Sequence, residues 1–373
     1  MSREIIIGYK GLEIRHKESA DEEISALLSR TIQGTEGGLR YSVRDFTERM
    51  KFYGKDLSFI GLYKKNNLAG VIGLCERKTT NFGKEYRSTF LRYLSVRSSF
   101  QIARVKDNRM EKLIRAEDTF KQQIFSMFSN PSGLPGGREN PSEPQIIYAC
   151  VEGENERSKN FVRQAGYEHI GSLRTIAFSR FKPRANPSVT RLSPEEEPAM
   201  AELLSEHYRE YCFYTGQFSF LNHRYYVLRK DNRIVAGVSA LPTTFNIIGF
   251  PGFQGWVLLK VLPFLPLFNK IFKPREFRFL IFDSIYCRNG NDHLLADLFE
   301  AVCAAEDYHS AITWVDEKSA LFRSLKKNVR MGVLNKILTT SPGFIYASFS
   351  NISPEDQKKF YDFSAYLPGV DFA

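Results

Sequence analysis

Arg97, Arg104, Lys106 and Arg109 fall in a stretch, from Arg97 to Arg115, that holds no glycine. Such a cluster offers guanidinium and ammonium groups to phosphate oxygens, and its natural chemistry is the binding of a polyanion. The charge distribution agrees. Through Pro187 the chain carries 32 Lys and Arg against 22 Asp and Glu, an excess of ten that equals the net charge of the whole 373-residue chain; from Ser188 on the two signs balance. An excess so placed favours a phosphorylated cofactor, an acidic substrate or nucleic acid on the N-terminal half. No helix-turn-helix, zinc finger or RNA-binding aromatic motif accompanies it, so nucleic acid is not expected as a partner.

Other chemistries find little support. The five cysteines, Cys75, Cys150, Cys212, Cys287 and Cys303, are odd in number and scattered, so neither a disulfide framework nor a zinc knuckle follows. The six histidines form no His-x-x-x-His pair, and no metal site is expected. No Ser-His-Asp or Cys-His arrangement can be assigned from spacing. With 43% hydrophobic and 25% charged residues the composition is that of a soluble globular protein, and the length suits two domains with separate cores. The apolar core of the first residues, MSREIIIGYKG, is short for a secretory signal, which makes a reducing cytoplasm the expected location.

The elements that must position these residues repeat in order. Leu12 to Ile14 reads as a strand, and residues 21 to 32 carry Ile24, Leu27, Leu28 and Ile32 at helical spacing, with a second helical piece at Phe46 to Phe52. Leu57 to Tyr63 and Leu68 to Glu76 form a hairpin around a polar turn, and Phe90 to Val96 a third strand. Asn108 and Glu111 look like a capping pair for a helix reaching about Phe128. After a Pro-, Gly- and Ser-rich loop, Ile146 to Val151 is a buried strand, followed by a helix with Ser158, Phe161, Val162 and Ala165 on one face and Gly166 as terminator. Ile170 to Phe181 closes the half as a strand or hairpin.

The polar, two-proline hexapeptide Lys182 to Pro187 reads as a linker. Beyond it come a strand at Val189 to Leu192 and a helix at Glu195 to Tyr214. A hairpin follows across Asp231-Asn232, then strands at Phe277 to Tyr286 and Ala311 to Val315 that alternate with helices at Leu294 to Ala305 and Ser319 to Lys327. Strands at Val333 to Thr340 and Phe344 to Phe349 are expected to end the chain.

The segment VEGENERSKNFVRQAGY, from Val151 to Tyr167, resembles the part of GNAT-superfamily N-acetyltransferases that holds coenzyme A. In that family an Asn leads the helix, small and apolar residues follow at helical spacing, and Gly-aromatic ends it; Asn155, Ser158, Phe161, Gly166 and Tyr167 occupy those places. The resemblance implies a mixed α/β fold with two tandem GNAT-like domains, each a twisted mixed sheet flanked by helices. Residues 1–184 would form the acyltransferase domain and residues 188–373 a second, degenerate one. It implies an acyl-coenzyme A co-substrate, foremost acetyl-CoA, and a small-molecule or peptide amine as acceptor. The competing reading is a noncatalytic GNAT-like module that binds a metabolite or protein.

The sequence departs from the family at the phosphate loop. Members place Gln or Arg, then two residues, then Gly-x-Gly/Ala; here Gln101 fits, while Arg104 and Lys106 stand at the glycine places. Coenzyme A contacts are therefore assigned to Val96, Arg97, Ser98, Gln101, Arg104 and Lys106 together with Asn155, Ser158 and Phe161. The loop Cys287 to Asp292 of the second half fits less well, since Asp292 sets a negative charge near any phosphate. Where many members carry an acidic Tyr this chain has Val162, leaving Tyr148 or Tyr167 as substitutes, and Glu76 and Glu152 as candidate bases.

Residues 249 to 273, GFPGFQGWVLLKVLPFLPLFNKIFK, are apolar but interrupted by Lys260, Pro263 and Pro266, too short an apolar core to span a membrane. A buried helical connection inside the second domain is the favoured expectation, with an interfacial segment, a lid over a hydrophobic substrate or a dimer contact as alternatives.

Overall fold

The computed structural model describes residues 4–9, 11–36, 38–97, 122–130, 133–135, 142–250, 252–338 and 340–372. Ser98, Gln101, Arg104 and Lys106 of the expected phosphate loop, and the expected capping pair Asn108 and Glu111, lie outside them; residues 122–129 are helical.

In chain order the strands are β1 (Glu4–Tyr9), β2 (Leu12–Lys17), β3 (Arg40–Val43), β4 (Leu57–Lys64), β5 (Asn67–Asn81), β6 (Lys84–Val96), β7 (Gln145–Glu152) and β8 (Glu168–Ser179). After the irregular residues 180–188 come β9 (Val189–Arg191), β10 (Tyr211–Cys212), β11 (Tyr225–Lys230), β12 (Arg233–Gly249), β13 (Phe277–Cys287), β14 (Ser310–Asp316), β15 (Gly343–Ser350) and β16 (Ser364–Ala365). Apart from the β10–β16 pair they form one 14-stranded mixed sheet in the order β1-β2-β4-β5-β6-β7-β15-β8-β14-β13-β12-β11-β9, with β3 added to β12. Helices flank it, giving the mixed α/β architecture expected from the element order.

The repeat is visible in geometry. Each half begins its hairpin with a two-residue turn in which both residues have positive φ, Lys65 and Asn66 between β4 and β5, Asp231 and Asn232 between β11 and β12. This is the mirror-image turn whose twist suits a tight hairpin. Each half then carries a bulge on its third strand. Tyr93 (φ 57) and Leu94 stand opposite Ile72 alone, and Ser284 (φ 47) and Ile285 stand opposite Val238 alone. Such bulges sharpen the local twist and end regular pairing.

The halves are stitched together rather than side by side. β15 runs antiparallel to β7 on one side and to β8 on the other, from Gly343, opposite Glu152 and Leu173, onward. β8 in turn pairs with β14, and β3 crosses from the first half to pair with Phe245 to Gly249 of β12. A glycine at 343 permits this approach, because a Cβ there would lie 2.8 Å from Cys150 Sγ.

Local expectations failed in three places. Val333 to Thr340 is no strand: Val333–Ile337 is a short helix that follows Gly332 (φ 93), and its Leu334 N–H donates to Ser179 Oγ while Asn335 accepts from Ala177 N–H. The helix expected to reach Tyr214 stops at His207, because Phe213 turns to positive φ and donates its N–H to the buried Asn81 side chain. A helix at Pro354–Asp362, capped by Ser353, is additional; its Asp356 binds Lys84 of β6 at 2.7 Å. The apolar segment 249–273 is helical at Gly252–Lys260 and Pro266–Ile271, but only one side of it is buried.

Candidate functional site

β6 and β7 run parallel only from Arg87 opposite Gln145 to Leu91 opposite Ala149, and then part. The bulge at Tyr93 bends β6 away just where pairing stops. Into the opening faces a cavity of about 320 Å³. Leu91 to Leu94 of β6 and Ala149 to Glu152 of β7 form one wall, with Asn155, Ser158, Phe161 and Val162 of the following helix beside them. The opposite wall belongs to the second half, through Phe245, Ile247, Phe277, Ile312 and Trp314, and to residues Asp371 and Phe372. Tyr41 stacks on Phe245 with ring centroids 4.3 Å apart, and Trp314 on Phe372 at 4.3 Å, so the wall is aromatic and close-packed.

The helix Glu156–Gln164 forms as its sequence dictates. Asn155 caps it, accepting from Ser158 N–H at 3.0 Å, and Gly166 (φ 83) ends it where a side chain would be strained. Its inner face places Ser158, Phe161 and Val162 on the cavity. The expected Asn155, Ser158 and Phe161 are thus brought together at one end of the opening. Val96 is exposed at the end of β6, and Arg97 donates its backbone N–H to Ala69; neither lines the cavity.

Of the four candidate proton-transfer residues, Tyr148, Tyr167, Glu76 and Glu152, only Glu152 reaches the cavity. It ends β7, accepts from Thr35 Oγ1 at 2.8 Å, and burial pushes its carboxyl above the ordinary range, an effect opposed by the Thr35 bonds. Glu76 faces elsewhere, paired with Arg87 at 3.0 Å. Tyr148 is wholly buried between Phe90 and Phe213, and its hydroxyl has no hydrogen-bond partner among the described residues. Tyr167 is buried too and donates to Phe128 O at 2.7 Å.

Sequence reasoning missed Tyr93. It lines the cavity at the bulge, burial pushes its phenol up to about 12, and its hydroxyl too lacks a partner among the described residues. Only positive φ at a non-glycine residue marks it, and no local sequence pattern announces that. Also missed was Asp371, whose fully buried carboxylate accepts from Arg77 at 2.9 and 3.1 Å, from Tyr53 at 2.9 Å and from Arg92 at 3.3 Å. It holds residues 369–372 against the first half.

The second half opens in the same way, but its opening is filled. β13 and β14 pair only at Leu280–Ala311 and Ile281–Ile312. Beyond that point Ala365 donates its N–H to Asp316 at 2.8 Å, Gly369 donates to Asp283 at 3.0 Å, and Phe372 covers Trp314. A Cβ at Gly369 would fall 2.3 Å from Ile281 Cγ2, so the backbone is pressed onto β13. Asp283, buried at the second bulge, is pushed up to about 6 by burial, against the bonds from Gly369, Ser284 and Tyr366. Among the described residues no group of His, Cys, Asp or Glu is placed to hold a metal.

No protein-family model matches the chain, and no curated protein does. Solved structures do. Saccharomyces cerevisiae N-myristoyltransferase with bound myristoyl-CoA and inhibitors is similar at 11% identity and a TM-score of 0.51, over 97% of this chain and 87% of that one. The same yeast enzyme with myristoyl-CoA matches at a TM-score of 0.50 over 95% and 88%. A GCN5-related N-acetyltransferase from Anabaena variabilis aligns at a TM-score of 0.45 and 11% identity, over 90% and 72%. At such identities the likeness is one of fold: the chain shares the mixed α/β fold of N-myristoyltransferase, consistent with the tandem GNAT-like arrangement expected from its element order.

Proposed function

We propose that this chain, built on the GNAT-superfamily fold, is an acyl-coenzyme A-dependent N-acyltransferase whose donor enters where β6 and β7 part. The observation that carries the reading is the cavity in that opening, bounded by the Asn155-capped helix on one side and an apolar aromatic wall on the other. The pantetheine arm would lie along Ala149 to Glu152, where β7 has lost its partner on β6. The acyl group would face Phe245, Ile247 and Ile312. Acetyl is the smallest donor consistent with this lining, and its apolar extent favours longer acyl chains as well.

The transfer is a direct attack: the acceptor nitrogen bonds to the thioester carbonyl carbon, the carbon–sulfur bond breaks, and coenzyme A leaves as the thiol. Glu152 would take the amine's proton, a role suited to a carboxylate whose proton affinity burial has raised. Tyr93, kept protonated by burial, would supply the thiolate's proton. A small-molecule or peptide amine is the proposed acceptor. Residues 1–184 would bind the donor and residues 188–373 would supply the far wall, their own opening being filled by residues 365–372. The test is release of free thiol from octanoyl-CoA or acetyl-CoA in the presence of a panel of amines and amino-terminal glycine peptides. The reading fails if neither donor binds.

A noncatalytic binding module is the second reading, favoured by the glycine-poor region after Val96 and by Val162 at the place of the usual acidic Tyr. Donor binding with no thiol release in any amine panel would select it.

A further inference from the structure

We propose that the helical segment Gly252–Ile271 docks this protein on a membrane surface rich in anionic phospholipid. The segment leaves β12 and returns to β13 as two helices, Gly252–Lys260 and Pro266–Ile271, bolted to the core by Leu258, Ile271 and Phe272. Phe268 adds an edge-to-face contact with Phe181. At the other side the two helices and the connection between them project large apolar side chains into solvent. Phe264 is 83% exposed, Leu267 62% and Trp256 55%, with Val261 and Leu265 exposed as well. Five of the eleven exposed large hydrophobic residues among the described residues are gathered within these twelve positions, and the three most exposed are all among them. Scattered exposed apolar residues need no explanation, but a cluster on one projecting element does.

Charge chooses the occupant. From Asn232 to Arg275 the sequence contains no acidic residue, while Lys260, Lys270, Lys273 and Arg275 are exposed along the segment. Lys273 pairs with Glu276; the others have no acidic partner among the described residues. A second copy of the chain would bring like charge against like, whereas an anionic bilayer supplies the opposite sign and an apolar interior for Phe264 and Leu267. Tryptophan beside basic residues is the composition of a surface that settles at the headgroup level. No helix among the described residues is long and apolar enough to cross a membrane, so the segment would lie in the interface.

The full chain should sediment with phosphatidylcholine vesicles containing about 30% phosphatidylserine, more weakly at 0.5 M salt, and little with phosphatidylcholine alone. Tryptophan emission should shift to the blue on binding, and the shift should vanish in Trp256→Phe while Trp314 remains. Phe264→Glu with Leu267→Glu should lower vesicle affinity about tenfold or more with an unchanged unfolding midpoint. Lys260→Glu with Lys270→Glu should do the same, which keeps the test sound if the first pair misfolds. Sedimentation of both double variants equal to that of the wild type, or no sedimentation of the wild type with the anionic vesicles, overturns the proposal. So does a concentration-dependent dimer that the Phe264 and Leu267 changes abolish, since the patch would then face a second copy.

Discussion

Replacing Asp371 by alanine tests how residues 369–372 are held. Its carboxylate is fully buried and receives two hydrogen bonds from Arg77, one from Arg92 and one from Tyr53; the Arg77 and Arg92 side chains are themselves 1% and 6% exposed. Removing one partner of a buried ion pair typically costs about 3–5 kcal/mol, because the remaining charge stays out of water without compensation. Here two guanidinium groups would be left, so the upper part of that range is expected. Urea unfolding at neutral pH, with the slope checked for constancy, measures it. Asp371→Ala combined with Arg77→Met should recover part of the loss, since the uncompensated charge goes too, and the cycle isolates the coupling. The reasoning also fixes a functional effect: Phe372 would lose its seat on Trp314, and donor affinity should fall. A loss below about 1 kcal/mol would refute the argument, because it would mean that residues 369–372 simply peel away and leave Arg77 and Arg92 hydrated.

Glu152→Gln should abolish amine acylation while leaving donor binding nearly intact; in the wild type the rate should rise with pH through a value above the ordinary carboxylate range, since the base must first lose its proton. Unchanged turnover in that variant removes Glu152 from the chemistry. Tyr148→Phe should leave turnover unchanged and stability equal or up to about 1 kcal/mol higher, because the hydroxyl it deletes has no partner among the described residues; a rate lowered about a hundredfold would make Tyr148 the acid after all. Asp283, raised from 3.8 to about 6, binds a proton more tightly folded than unfolded, so the stability it contributes is complete below pH 3.8 and is lost as pH rises to about 6. That loss amounts to roughly 3 kcal/mol. Asp283→Asn should flatten the stability–pH profile across this window, whatever it does to the absolute value; an unaltered profile contradicts the assignment.

Where structure follows from neighbours in sequence, the sequence was legible. Asn155 and Gly166 bracket a helix because one accepts from the first turn and the other takes positive φ, and both facts are written in residue type. The turns at Lys65-Asn66 and Asp231-Asn232 are of the same kind. The cluster of Asn155, Ser158 and Phe161 on the cavity follows from that helix. What pairs at long range was not legible. Nothing in Gly343 to Ser350 says that it will lie between β7 and β8, and nothing in Arg40 to Val43 says that it will cross to β12. Val333 to Ile337 is rich in residues that suit a strand, but the positive φ of Gly332 and the hydrogen bond that Leu334 N–H donates to Ser179 Oγ set it as a helix. The far wall, Asp371 and Tyr93 belong to the site only through such pairings. Tyr148 illustrates the converse: its type suits proton transfer, yet the alternation of β7 points it to the core face, away from Ala149 and Val151.

The central claim is that the opening between β6 and β7 holds an acyl-coenzyme A. Calorimetric titration of octanoyl-CoA into the wild type and into Ser158→Trp tests it most directly, because the indole would occupy the cavity beside Asn155 while leaving the partly exposed helix folded. One donor per chain is predicted for the wild type, with affinity about tenfold weaker or lost in Ser158→Trp at an unchanged unfolding midpoint. Equal affinity in the two proteins, or two donors per chain, would contradict it.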